Sequence, residues 1–534
     1  SLAVLNPVHF PIQFPEIFGG SGQEGFTSIL GNPPWEEVMV DKDSFWTIKS
    51  PGEGLVRLPK MQRDERIKEL IDLFPQHYQE FLDQTETMKI IRECLSQNDY
   101  PDFNTGNADL YKAFNWRFWN LCSHTGTIGV VLPGNILIGK GSGTWRKKII
   151  ENGDFIEITQ LVNDSKGWVF DGLSGGWKVA LVSIRKTGQH DDSIEIRGAY
   201  KTLEAYKSGV EIPGVELPAK GVLEWTEVAM FPEISNGDML QTFLKIRNHP
   251  SLNDHEKHNW QFAINQGDYN AKDGVTQGWY STKMEERIEG YWPVWGGSSF
   301  WIWNPDPPGL TGNEKGWCDP EKVIPNLDAR RKKKLSSLSS LGQDWLDDSN
   351  TVPCKTARIA WRGVSSSSAA RTLVVALIPP NTVLQNGAPF IVQSSNSKTI
   401  DAYLLGILSS VIIDWYARRI ILLNVNKFMV QNFPIPRLGS KPKLEAELIT
   451  LSGRLASVDD RYEQWAGQVG VSVNSISVED KPDVIARTNA ISAHLYGLSK
   501  SDIEVIWSTF SEPNKKQDIP EIDRVIHHFE ELNR

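Results

Sequence analysis

The sequence predicts an α/β fold: a partial doubly wound sheet with a helical insertion, followed by an α+β region and C-terminal helices. Three observations carry that prediction. Apolar runs at 26–31, 128–132, 155–162 and 178–184 have the length and β-branched content of buried strands. Text of helical period fills the space between the first two runs. Only a glycine-rich loop separates the last two, which favours an antiparallel hairpin over a parallel crossover.

In chain order, 9–18 (HFPIQFPEIF) is an apolar, proline-punctuated lead-in, and GGSGQEG connects it to the first strand. The stretch Phe18-Gly19-Gly20-Ser21-Gly22 matches a cofactor-binding glycine turn, F-x-G-x-G, but no helix and no further strands follow before residue 26, so that reading is rejected. Residues 59–97 read as helix, with Ile67, Leu70, Ile71 and Phe74 on one face, placed as part of an insertion (about 41–108) over a mouth at the strand end. A second amphipathic helix is expected over 107–121, with Asp109 complementing its dipole. Pro133-Gly134-Asn135 closes the 128–132 strand in a turn. A helix over 144–152 carries Arg146, Lys147 and Lys148. The strand order implies that the first half of the sheet is missing.

Residues 190–290 are polar and short-stranded, and His255 and His258 there lack a supporting carboxylate or cysteine cluster. Residues 291–303 (YWPVWGGSSFWIW) read as the core of a β-rich domain, or else as a stacking surface. The run Arg330-Arg331-Lys332-Lys333-Lys334 is a solvated loop or a phosphate contact. Residues 358–380 read as strand, serine-rich turn, strand, with Arg362 and Arg371 near the turn. An apolar helix is expected over 403–413 and an amphipathic one around Leu444–Leu455. Another is expected over 484–496, ending at Gly497, before a capping box at Ser499-x-x-Asp502. Expected domains are 1–190, 191–440 and 441–534.

At 534 residues the chain has material for two or three cores. A net charge of −10 excludes a generally basic nucleic-acid binder, so any DNA contact falls to local clusters. Four dispersed cysteines without C-x-x-C spacing argue against zinc or a disulfide framework and fit a reducing, cytoplasmic setting. No apolar run reaches membrane-spanning length, and the opening SLAVLNPVHF reads as a cut end rather than a signal peptide.

The densest chemical signal is Asn32-Pro33-Pro34-Trp35, at the carboxyl end of the first strand, where open α/β sheets hold ligands. Two consecutive prolines stiffen the turn and remove two N–H groups. What remains are acceptors, the Asn32 amide oxygen and the Pro33 carbonyl, beside the flat face of Trp35. Acceptors next to a stacking platform suit the exocyclic amine of a planar base, adenine or cytosine. The plain alternative is a Pro-Pro turn capped by a packed tryptophan.

With these residues in hand, the chain resembles the N6-adenine DNA methyltransferases of the large restriction–modification and phage-defence type. The resemblance rests on HFPIQFPEIF leading to ILGNPPWEE, on NADLYKAF, and on GTIGVVLPGNILIGKGSGTWRKKI and VFDGLSGGWKVALVSIRK. More loosely, it rests on 358–380, YLLGILSSVIIDWYARR and NKFMVQNFPIP as a target-recognition region. It implies a Rossmann-like methyltransferase sheet, double-stranded DNA as partner and S-adenosylmethionine as methyl donor. It implies that Asn32, Pro33, Pro34 and Trp35 form the catalytic corner and that Phe170 also touches a flipped base. Arg330, Arg331, Lys332, Arg362 and Arg371 are candidate DNA contacts; no metal is implied. The glycine motif that holds the donor should precede NPPW by several strands, so an N-terminal segment or a partner subunit is expected to complete the cofactor site. Two alternatives stay open: a DNA-recognition or assembly subunit inactive alone, and part of a bifunctional restriction endonuclease–methyltransferase. For the latter, Asp191-Asp192 with Glu195-Ile196-Arg197 lacks the lysine of a nuclease carboxylate set.

Overall fold

The computed structural model describes residues 8–19, 24–164, 166–171, 175–187, 192–258, 260–282, 289–306, 314–365, 369–395, 397–421, 424–510 and 519–533. Gly20–Gly22 of the rejected glycine turn, Asp191, and the middle of the serine-rich turn lie outside them. The chain forms two compact units, Ser1–Ser235 and Asn236–Arg534. The boundaries expected at 190 and 440 therefore move. Strands after 190 belong to the first unit's sheet, and the C-terminal helices share the second unit with the sheets before them.

The first unit is built on six strands: β1 (Phe26–Gly31), β2 (Cys122–Pro133), β3 (Asp154–Val162), β4 (Lys178–Arg185), β5 (Ser193–Tyr200) and β6 (Val215–Pro218), in the order β1-β2-β4-β3-β5-β6. β1 and β2 are parallel, with Gly31 opposite Val130, and β3 and β5 are parallel. β4 runs antiparallel between β2 and β3, so β3 and β4 form the hairpin that their short connection requires. Ile128, Val130, Leu132, Val179, Val182 and Ile184 are buried along the central strands. Each such side chain removed from water contributes roughly 1.5–3 kcal/mol. β1 stands at one end of the sheet, paired with β2 alone among the described residues, and its Leu30 is 85% exposed.

Between β1 and β2 the chain makes the helices Lys42–Lys49, Lys60–Leu73, Pro75–Leu95 and Leu110–Leu121. The single helix expected over 59–97 is broken at Phe74 (φ −128°, ψ 66°). Pro75 bars the residue before it from helical backbone and opens the next helix at its first position. Ile67 and Leu70 are fully buried with Phe45, Trp46 and Leu55, while Phe74 at the break is 39% exposed.

The second unit holds an antiparallel sheet of β11 (Val375–Ile378), β10 (Arg358–Trp361), β13 (Phe390–Gln393) and β7 (Phe262–Asn265), in that order. A second sheet joins β12 (Val383–Leu384), β8 (Trp292–Trp295) and β9 (Glu314–Cys318). Trp295, Phe300, Ile302 and Trp303 are buried, so most of the aromatic stretch is core. The helix expected over 403–413 is two, Lys398–Leu408 and Val411–Ile420, bent by 65° where Ser410 caps the second. Among the described residues no single helix is long and apolar enough to cross a membrane. Ser499 and Asp502 close a reciprocal capping box at the start of the helix Lys500–Ser508.

Candidate active site at the carboxyl ends of β1 and β2

Because β1 and β2 are parallel neighbours, their carboxyl ends open onto the same edge of the sheet. A cleft of about 650 Å³ lies there, lined by Asn32, Pro33, Pro34, Trp35 and Glu36 after β1, and by Pro133 and Asn135 after β2. Asn107, Asp109 and Tyr111 form another wall, and Phe170 and Trp177 a further one. The five residues singled out from the sequence thus share one cleft. Asn32 and Pro34 are exposed, Pro33 is buried, and Trp35 is half-buried. The Trp35 and Phe170 rings meet edge to face, centroids 5.6 Å apart and 88° between planes. That contact fixes the tryptophan plane.

Phe170 is placed by a loop that Asn163 organises. The Asn163 amide oxygen accepts from Val169 N at 3.1 Å, and its amide nitrogen donates to Phe170 O at 3.2 Å. Asp164 accepts from Lys166 N and Trp168 N in the same loop. The turn after β2 is equally constrained: a β-carbon on Gly134 would lie 2.6 Å from Lys178 Cβ at the start of β4.

The Asp109 wall is tied directly to the corner after β1. Leu110 N donates to Glu36 O and Val38 N to Ala108 O, both at 2.9 Å, so Glu37 and Asp109 face each other between those two bonds. Asp109 stands at the N-cap of the Leu110–Leu121 helix, yet its carboxylate makes no capping bond. The dipole-complementing role read from the sequence therefore lacks its hydrogen bond. Burial pushes the Asp109 pKa up; Lys112 opposes the shift, Glu37 adds to it, and the nearby Tyr111 hydroxyl opposes it. Lys112, 3.9 Å from the carboxylate, spends its ammonium on the carbonyls of Thr105 (3.0 Å) and Asn107 (2.5 Å). Burial also pushes up the Tyr111 hydroxyl, reinforced by Asp109 and opposed by nearby Ser142 and Asn135; its oxygen makes no hydrogen bond of good geometry among the described residues. Among the described residues of the lining, Glu36 and Asp109 are charged and none is a lysine or arginine.

Asn107, Tyr111, Asn135 and Trp177 were not assigned to the site from the sequence. The available signal was the Pro133-Gly134-Asn135 turn, since two parallel strands necessarily bring their carboxyl-end turns together.

Several basic candidates are placed elsewhere. Arg331 is 2% exposed and donates to the carbonyls of Trp345, Leu346 and Asp348, which removes it from the DNA-contact set. Arg371, also 2% exposed, donates to Ser409 O at 2.7 Å beside the fully buried Asp414, and it too is structural. Arg362 donates to Gly297 O and lies over the Trp301 ring. Arg330 donates to Asp268 O and remains exposed; Lys332 pairs with Asp328 and is also exposed. Arg146 is fully buried, binding carbonyls of Ile136, Gly139, Val228 and Ala229. The cause is common to all three buried guanidiniums: five fixed donors satisfy several orphan carbonyls at once.

Residues 77–168 match the Eco57I restriction-modification methylase family. The chain carries a restriction-modification methylase segment, in keeping with the resemblance read from its sequence. The matched stretch includes the Asp109–Tyr111 wall and the Asn135 turn; Asn32–Trp35 and Phe170 lie outside it. Among solved structures the chain is similar to the type IIL restriction-modification enzyme MmeI in complex with DNA, with TM-score 0.38, 11% identity, and 80% of this chain and 52% of that one covered. It is also similar to the type IIG restriction endonuclease BpuSI (TM-score 0.26, 14% identity, 74% and 50% covered). A third is the ATP-dependent type ISP restriction-modification enzyme LlaBIII bound to DNA (TM-score 0.37, 10% identity, 82% and 30% covered). The chain thus spans about half the length of the first two and less than a third of the last. No curated protein matches it.

Proposed function

We propose that this chain supplies the target-base site of a site-specific DNA adenine-N6 methyltransferase in a restriction–modification or phage-defence system, acting on a base flipped out of the duplex. The observation that carries this reading is the cleft itself. Asn32 and Pro33, which carry a side-chain and a backbone acceptor on a proline-stiffened turn, line the same cleft as the paired Trp35 and Phe170 rings at the carboxyl edge of parallel strands.

Trp35 stacks on the extruded adenine while Phe170 braces the tryptophan and borders the base. Asn32 and Pro33 accept the two N6 hydrogens, drawing the nitrogen toward tetrahedral geometry and exposing its lone pair. S-adenosylmethionine, when bound, supplies a methyl group already activated on a sulfonium cation. The lining fits that group: it carries two carboxylates, Glu36 and Asp109, and no cationic side chain to repel it. Within this chain those carboxylates and the Asn32–Trp35 corner would face the methyl-bearing end. The rest of the donor is held by a preceding segment or partner subunit, which continues the doubly wound sheet at β1. The flank of β1, which pairs with β2 alone among the described residues, supports that place of addition.

Replacing Asn32 by alanine in the intact enzyme removes an acceptor aimed at developing charge. Methyl incorporation from labelled S-adenosylmethionine into unmethylated DNA should fall by ~10²-fold or more. Near-normal turnover of that variant would overturn the assignment.

A further inference from the structure

We propose that Asp109 is a catalytic residue of this cleft, whose carboxylate takes the proton that the target amine sheds as the nitrogen–methyl bond forms. The inference rests on the base-methylation reading and deepens it.

Position 32 is an asparagine, so the NPPW corner accepts hydrogen bonds but carries no charge and takes up no proton at neutral pH. The charge in the cleft comes from the opposite wall. Asp109 sits at an N-cap position with a carboxylate that caps nothing and borders the same cleft as Asn32. Its backbone faces Glu37 as a non-hydrogen-bonded antiparallel pair, the closer kind, in which side chains stand on the same side. Glu37 and Asp109 are both half-buried, and Glu37 lies two residues after Trp35. The ammonium of Lys112 pairs with Asp109 only at 3.9 Å, while it also donates to two carbonyls. Tyr111, on the same wall, lies 2% exposed beside it.

The step balances. The amine nitrogen gives its lone pair to the methyl carbon, and the carbon–sulfur bond breaks with its electrons left on sulfur as a neutral thioether. The nitrogen, now bearing the methyl group and two hydrogens, passes one proton to Asp109, which releases it to solvent from the open cleft. A carboxylate whose pKa is raised by burial and by Glu37, against the opposing pull of Lys112 and of the nearby Tyr111 hydroxyl, is better matched to this task than a free one. Asp102 acts on this wall through Lys112, and Arg146 through Tyr111.

The test is Asp109→Asn in the intact enzyme, with single-turnover transfer from tritiated S-adenosylmethionine to unmethylated genomic DNA. The rate at saturating S-adenosylmethionine should drop about 10²-fold, while affinity for DNA stays within about twofold. The wild-type rate should fall as pH drops through the raised Asp109 pKa, because the ionised form accepts; that acid limb should vanish in the asparagine variant and reappear in Asp109→Glu. A wild-type rate in Asp109→Asn, a retained acid limb, or loss of DNA affinity along with the rate overturns the assignment. Absence of methyl transfer by the wild-type enzyme instead removes the underlying reading, so the two failures are distinguishable.

Discussion

An arginine in a protein interior is decided by its neighbours rather than by its charge. Arg371 and Arg418 converge on Asp414, at 3.4 Å and 3.5 Å, and Asp414 also accepts from Leu373 N at 2.6 Å. Removing one member leaves a buried charge without its partner. Arg371→Met should therefore cost roughly 3 kcal/mol or more, read from the urea midpoint of the chain. An unchanged midpoint would return Arg371 to the surface set. Asn32 behaves in the opposite way. It is exposed, and its alanine variant should unfold at the same midpoint while losing methyl transfer, because its proposed work is done on a ligand. Fractional exposure separates these roles; residue type alone does not. Arg331 and Lys332 are adjacent in one basic run, yet one is core and the other solvent-facing.

Among the helices and strands, boundaries follow local chemistry wherever a residue forbids continuation. Pro75 splits the insertion helix, and Ser410 starts a new helix after a 65° bend. Both breaks lie inside stretches whose hydrophobic period runs on unbroken, which is why periodicity alone reads each as one helix. The capping box at Ser499 was legible because both partners lie within four residues. The basic run also acts as an element. Lys332, Lys333 and Lys334 are exposed at the end of the helix Pro320–Arg331. If they neutralise phosphates, the triple alanine variant should flatten the dependence of log K on log salt by about 0.9 for each phosphate left unneutralised. A gel shift across a salt series measures it, and an unchanged slope would place the DNA footprint elsewhere.

For the molecule as a whole, the net charge of −10 makes local placement of cations the condition for holding a polyanion. The other large-scale feature is the flank of β1, where an apolar residue at 85% exposure sits on a strand with one neighbour among the described residues. A continuation of the sheet at that flank, with a helix packed on the face where Leu30 lies over Gly129, would bury Leu30 and build the donor-binding half onto the sheet. Leu30→Glu in the intact enzyme should then weaken S-adenosylmethionine binding at least tenfold by calorimetry, since a buried carboxylate opposes docking; full affinity would sever β1 from the donor site. The order of amino acids was enough to locate strands at 26–31, 155–162 and 178–184, the later half of the strand that runs from Cys122 to Pro133, and the proline-stiffened turn Asn32-Pro33-Pro34-Trp35, although the first strand, expected to be buried, is not. Those depend on side-chain period and on proline's locked backbone, which act over a few residues. Folding in three dimensions was needed to bring Asp109, Tyr111 and Asn135 to that corner in one cleft, and to make Arg146, Arg331 and Arg371 internal. Such outcomes require strand order and distant carbonyl partners, and pairings between residues tens of positions apart leave no periodic trace in the chain.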